Sequence, residues 1–342
     1  MIRIKVRKIV GLSFIIVALL MSPAHGTAKT LVIKLATLAP EGSSWIKTFH
    51  AIDAEVREKT DNQVSFKFYP GGILGGDEKD MLRKMHIGQI QSAALSSAGL
   101  SAIFSEMDVF QIPFLFQSHK EVDYVIKEMD AFFRKGFEKN NYVLLGWSEA
   151  GFVHLMSTKP IATLDDLRKA KVWTWEDAPM TKVIFDQANV TAIPLSVPDV
   201  LVGLQTGLVD VVYASPSLAI SLQWFTKTKY MTDVNLIYLI GAVVMNKKVF
   251  NKISPAHQKI LMETCQRRMN ELKTTIRKEN QEAIEVMIKH GVKTITPTAE
   301  QVAEFKKVSA KAMERIEGKS FSKKVKDEVI SKIETYRKNN PQ

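Results

Sequence analysis

The chain has 342 residues, 46% of them hydrophobic and 24% charged, with a formal net charge of +11. A single cysteine, Cys265, excludes an intrachain disulfide and a cysteine-built metal site. The basic excess is spread over many lysines, especially beyond Lys247, and no patch interleaves it with aromatics, so solvated helix faces explain it and nucleic-acid binding is not indicated.

The first 26 residues predict an export signal. Arg3, Lys5, Arg7 and Lys8 form a basic start, Ile9 to Met21 is an uncharged apolar run, and Ala24-His25-Gly26 offers small residues for cleavage. The run is short for a bilayer span, a retained anchor being the alternative, and no cysteine stands near the cleavage point for a lipoprotein. The expected location is therefore the periplasm. Removing four basic and no acidic residues lowers the charge from +11 to +7. The remaining length and apolar content suit two domains, and no other stretch is long and apolar enough to span a membrane.

Leu31 to Ala36 reads as a buried strand, followed by a polar loop with Ser43 and Ser44 able to cap a helix from Trp45 to Lys59. Val64 to Phe68 alternates as a half-buried strand, Pro70-Gly71-Gly72 breaks it, Asp77 to Met85 is helical, and Ala93 to Leu95 is a third strand. This alternation predicts a parallel sheet with crossover helices. Ligands in such sheets sit beyond the carboxyl ends of the strands, which points to the loops Ala39 to Trp45 and Ser96-Ser97-Ala98-Gly99; each serine alone is also explained by helix capping.

Further on, a helix from His119 to Lys139 precedes a strand at Val143 to Trp147 and a crossing segment, Ser148 to Thr158. Thr163 and Asp166 have capping-box spacing. Lys171 to Trp175 reads as a strand that places Trp173 and Trp175 on one face, and alternation leaves open whether that face is core or ligand-facing. Helices are expected over Pro179 to Gln187 and Val197 to Thr206, with a strand from Leu208 to Tyr213. Ser254 to His290 is helical for more than thirty residues, long enough for a strut across two domains, and two charged helices split at Gly318 close the chain.

Catalytic motifs are missing. Ser44-Trp45-Ile46-Lys47 fits S-x-x-K without its companion motifs, and Gly146-Trp147-Ser148-Glu149-Ala150 lacks the second glycine of a nucleophile elbow. There is no H-E-x-x-H, P-loop or dinucleotide fingerprint, and the seven histidines, His154 of the crossing segment among them, lack metal-ligand spacing. The sequence predicts no enzyme, metal or cofactor.

Several stretches, in order, resemble one family. Gly88 to Ser101 is similar to G-x-I-D-x-A-x-x-S-x-G, with Gln91 where an aspartate is usual. Met107 to Phe116 resembles the L-P-F-L-F hallmark, and Lys159-Pro160-Ile161 with Asp166-Leu167 resembles K-P-I-x-x-x-x-D-L-K-G. Leu204-Gln205-Thr206-Gly207-Leu208-Val209-Asp210 resembles L-Q-T-G-x-V-D. The chain is thereby identified as a member of the DctP family, the solute-binding proteins of tripartite ATP-independent periplasmic (TRAP) transporters. The resemblance implies an α/β, two-lobed periplasmic-binding-protein fold with crossing strands, a hinge and a long domain-spanning helix. Residues 27–150 and about 240–278 would form one lobe, and residues 151–239 with 279–342 the other. A small-molecule ligand would bind between the lobes and pass to membrane permease subunits, with transport driven by an ion gradient.

One departure stands out. Members of the family bind organic acids through an arginine in K-I-R-V, a bidentate partner for a carboxylate. Here the segment is Lys171-Val172-Trp173-Thr174, and Trp173 takes the arginine position; Val153 replaces a second arginine in Gly151-Phe152-Val153-His154. A buried carboxylate without a cation is costly. The expected ligand is therefore apolar or amphipathic, packed on Trp173, Val153, Phe152, Trp175 and Tyr213, with Ser96, Ser97, Trp45, Ser215 and Glu149 completing the candidate site. A cationic amine beside Glu149 and Glu176 is the alternative, as is an acid held by Arg168 or Lys171. A second class of function stays open, a diverged binding module whose cleft serves a periplasmic protein partner or a structural role, with an accessory periplasmic subunit as the partner.

Overall fold

A computed structural model describes residues 30–175 and 178–341. The expected export signal (1–26) and Glu176 lie outside the described residues.

In chain order, β1 (Leu31–Thr37), α1 (Ser44–Lys59), β2 (Val64–Tyr69), α2 (Glu78–His86), β3 (Ser92–Ser96) and the short α3 (Ser97–Ser101) form the opening unit. A 3-10 turn at Ser105–Gln111 leads to α4 (His119–Lys139) and β4 (Tyr142–Ser157). There follow α5 (Leu164–Arg168), β5 (Val172–Thr174), α6 (Pro179–Ala188), β6 (Ala192–Pro194), α7 (Val200–Thr206), β7 (Val211–Ala214) and α8 (Pro216–Ser221). β8 (Tyr230–Asn246) returns, and α9 (Lys247–Phe250), α10 (Pro255–Lys289), β9 (Lys293–Ile295), α11 (Ala299–Ile316) and α12 (Lys323–Asn339) complete the fold.

The strands form one mixed sheet in the order β2-β1-β3-β8-β4-β7-β5-β6, with β9 on β8. The expected parallel pairing holds at the flanks, between β1 and β2, β1 and β3, and β5 with β6 and β7. At the centre it does not. β8 is antiparallel to β3, and the long strands β4 and β8 run antiparallel to each other through both halves. Three register shifts bend β4, between Leu144 and Gly146, Glu149 and Gly151, and Val153 and Leu155. Gly151 has φ +97° and its Cβ position lies 2.6 Å from Asn280 Nδ2, so a side chain there meets both strain and a neighbour.

α10 connects the halves, and at 35 residues it extends about 52 Å. Leu261, Cys265, Met269, Leu272 and Ile276 pack with α1, β1 and β2 of the first half. Met287 packs with Val212, Ala214 and Trp224 of the second. Ser254 caps its start by accepting from His257 N. The last helix does not follow the expected division. Val325, Val329 and Ile333 of α12 join the first-half core with Phe133 and Phe137, and Arg337 pairs with the buried Glu121 of α4.

Candidate ligand-binding site

The cleft lies where the carboxyl ends of β1, β3 and β5 face the bent middles of β4 and β8. Its outer part encloses about 800 Å³ between α2, α3, α6 and the β6–α7 segment. Beneath it is an inner cavity of about 140 Å³, and Leu38, Glu78, Trp175 and Val197 wall both. The outer volume falls in the range of small-molecule sites.

Four tryptophans, Trp45, Trp173, Trp175 and Trp224, line the inner cavity with Tyr213, Val153, Leu95 and Ile237. Trp173 is 1% exposed, and its Nε1 donates to Leu195 O at 3.0 Å. Its ring centroid is 4.9 Å from Tyr213, 5.1 Å from Trp224 and 6.1 Å from Trp175. Trp173 is therefore a packed indole whose single donor is already used. Trp175 lies one residue past the end of β5, and its buried Nε1 has no partner among the described residues. An unpaired buried donor is costly, so an acceptor on a bound molecule would be favoured there.

The expected site residues divide by position. Trp45, Ser96, Glu149, Val153, Trp173, Trp175 and Tyr213 all line the inner cavity. Phe152 does not. Neighbouring residues of a strand face opposite ways, and its ring packs behind the sheet on Tyr238 at 4.8 Å and His119 at 5.3 Å. Ser97 and Ser215 are buried, 1% and 0% exposed, away from both spaces. Glu149 cannot serve as a free counter-ion: Arg277 Nε and Nη2 donate to its carboxylate at 2.7 and 3.0 Å while also gripping Asp123. Arg168 donates to Ala188 O and Asp165, and Lys171 Nζ to Gly207 O, so neither reaches the cavity. Among the described residues no lysine or arginine lines the inner cavity, whereas Lys79 and Lys182 line the outer cleft. His154 is buried in β4, outside both spaces, and burial holds its pKa below the usual value.

Glu78 is the residue that sequence reasoning missed. It is the first residue of α2, and its carboxylate accepts from Ser96 N and Ser96 Oγ, both at 2.6 Å. Gly99 makes this fit, since a Cβ there would stand 2.4 Å from Glu78 Oε2. Burial pushes the Glu78 carboxyl up to about 7 against the pull of those hydrogen bonds. Asp108 lines the outer cleft, accepts from Gln111 Nε2 at 2.5 Å, and is raised by burial to about 6. The sequence signal for Glu78 was only an acid in the first turn of a helix, which the helix dipole alone explains.

The profile of bacterial extracellular solute-binding proteins, family 7 (DctP), matches residues 35–320. The chain belongs to the DctP family. This is the family of TRAP solute-binding proteins, which are not enzymes. The 2,3-diketo-L-gulonate-binding periplasmic protein YiaO of Escherichia coli is 24% identical over 246 residues, 70% of this chain and 74% of that protein. The C4-dicarboxylate-binding periplasmic protein DctP of Rhodobacter capsulatus is 25% identical over 288 residues, 82% of this chain and 85% of that one. Among solved structures, the sugar acid binding protein DctPAm of Advenella mimigardefordensis in complex with galactonate aligns with TM-score 0.83 at 20% identity, covering 90% of this chain and 99% of that one. A TRAP periplasmic solute binding protein of Pseudomonas putida F1 with bound D-glucuronate aligns at 0.80 and 22%, covering 89% and 97%. The two-lobed fold is thus shared. No helix among the described residues is long and apolar enough to cross a membrane.

Proposed function

We propose that this DctP-family protein is the periplasmic receptor of a TRAP transporter for a small, non-acidic, amphipathic solute, which it binds between its lobes and delivers to membrane permease subunits. One observation carries the ligand class: the inner cavity is walled by four tryptophans and a tyrosine and, among the described residues, by no lysine or arginine. A carboxylate placed there would lose hydration with no charge to replace it. A neutral molecule gains apolar contact, and its polar end meets the Trp175 N–H and Glu78. The lobe boundaries are drawn at the register shift of β4 between Glu149 and Gly151, opposite Leu239 and Ile240 of β8, with α12 reassigned to the first lobe because its core residues pack there. Residues 1–26 serve as the cleaved export signal.

Tryptophan fluorescence titrations test this, since the indoles line the cavity. Neutral alcohols and amides should give saturable changes, and sugar acids and dicarboxylates should not. Trp173→Arg should weaken the neutral ligand about tenfold or more, because it places an unpaired charge among indoles. Tight binding of an organic acid by the unaltered protein would overturn the ligand class, as the galactonate and glucuronate complexes of its structural neighbours make worth testing. A cationic amine is the second reading. Indole faces attract ammonium groups, and Glu78 and Asp108 line the outer cleft, where Lys79 and Lys182 also stand; an amine preferred over its neutral isostere would select it. Silence toward every compound, with tight capture of a periplasmic protein, would favour the partner-binding module.

A further inference from the structure

Resting on the receptor reading above, we propose that a second apolar cavity behind Tyr213 takes the aliphatic tail of the ligand, so that the solute is a single-chain amphiphile longer than the tryptophan cavity alone can hold. This cavity encloses about 100 Å³ and is walled by Phe114, Ile184, Phe185, Leu236 and Phe305. Val153, Tyr213 and Ile237 line both it and the tryptophan cavity, so the two spaces are separated by the thickness of those side chains.

The second cavity is a half-open apolar recess whose walls, mostly aliphatic and aromatic, offer water few hydrogen bonds. The two spaces, divided only by those shared side chains, become a continuous apolar path if Tyr213 and Val153 shift. Phe114 adds an independent sign. A bulky residue with φ +60° is an outlier, and its N–H is tied to Leu236 O at 2.7 Å on the opposite wall. Strain of this kind persists where the surroundings hold it, and it clusters at ligand sites. The head group then stays at Trp175 and Glu78 while the chain runs between Val153 and Tyr213 toward Phe305.

The test is a homologous series, n-butanol to n-decanol, titrated calorimetrically into the full chain. Affinity should rise about fourfold per methylene and continue rising after the tryptophan cavity is full. Ile184→Trp, which fills the second cavity, should cause a loss that grows with chain length. Phe305→Ala should move the best chain length upward, and it carries the test should the tryptophan variant not fold, as thermal melting would reveal. The same chain-length optimum in all three proteins overturns the tail cavity and leaves the receptor reading standing. No alkanol binding at any length overturns the tail cavity too, and organic acids binding instead would take the receptor reading with it.

Discussion

Glu78 shows how one buried acid ties the cleft to pH. Its carboxyl is raised from 4.5 to about 7, chiefly by burial. Between those two values the folded protein holds a proton that the unfolded chain has lost, so stability falls as pH rises from about 4.5 to about 7 and stays lower above. The full difference is on the order of 3 kcal/mol at 1.36 kcal/mol per pH unit. Glu78→Gln keeps an oxygen for Ser96 N and an N–H for Ser96 Oγ but does not titrate. Urea unfolding at a series of pH values should therefore show the variant gaining on the native protein between about pH 4.5 and about pH 7. Parallel curves would mean that Glu78 stays charged in the fold. Trp173, singled out in the sequence, lines the same inner cavity as Glu78, which was not. Trp173 was found by what it replaced, whereas an acid opening a helix is ordinary until the fold brings Ser96 and Gly99 against it.

At the scale of elements, the α10 strut is fastened to β4 and α4 through Arg277. Glu149 is 3% exposed and relies on this guanidinium, while Asp123 is half-exposed and can turn to water. Arg277→Met should destabilise the protein by about 3 kcal/mol, because it strands a buried charge. Adding Glu149→Gln should restore much of that loss, and a double variant no more stable than the single one would show that the guanidinium matters for packing instead. The helix itself was readable: the sequence placed it from Ser254 to His290 and it spans Pro255–Lys289. The capping box at Thr163 and Asp166 is present as spaced. Local signals fixed these because their partners lie within one turn. The central pairing was not readable, since β4 and β8 meet only through long-range contacts and their bulges leave no periodic mark. Thus β4 was divided at Ser148, β8 was not foreseen, and Phe152 was assigned to the cleft beside Val153 although the two face opposite sides of one strand. Ser43 occupies the cap position of α1 but makes no capping bond, its hydroxyl being buried without a partner among the described residues.

Over the whole molecule, the cleft is bordered by glycines that let the two halves meet. The Cβ position of Gly72 lies 3.5 Å from the Pro198 ring, and that of Gly76 lies 3.8 Å from Ser196 Oγ, in each case across the cleft mouth. The β2–α2 loop therefore brings bare glycine backbone against the Pro198 and Ser196 side chains of the segment before α7, while α10 holds the far side. A receptor of this design needs a ligand with greater affinity for the closed arrangement than for the open one. Gly76→Trp inserts bulk at the rim at a residue that lines neither the inner cavity nor the outer cleft, so the obstruction acts on closure. With the neutral ligand of the fluorescence test, the variant should bind about tenfold more weakly, equivalent to about 1.4 kcal/mol spent against the obstruction. Small-angle scattering should show the native protein contracting when ligand is added and the variant contracting less. If affinity and contraction are both unchanged, the rim does not close on the ligand, and binding must depend on the inner cavity without movement of the lobes.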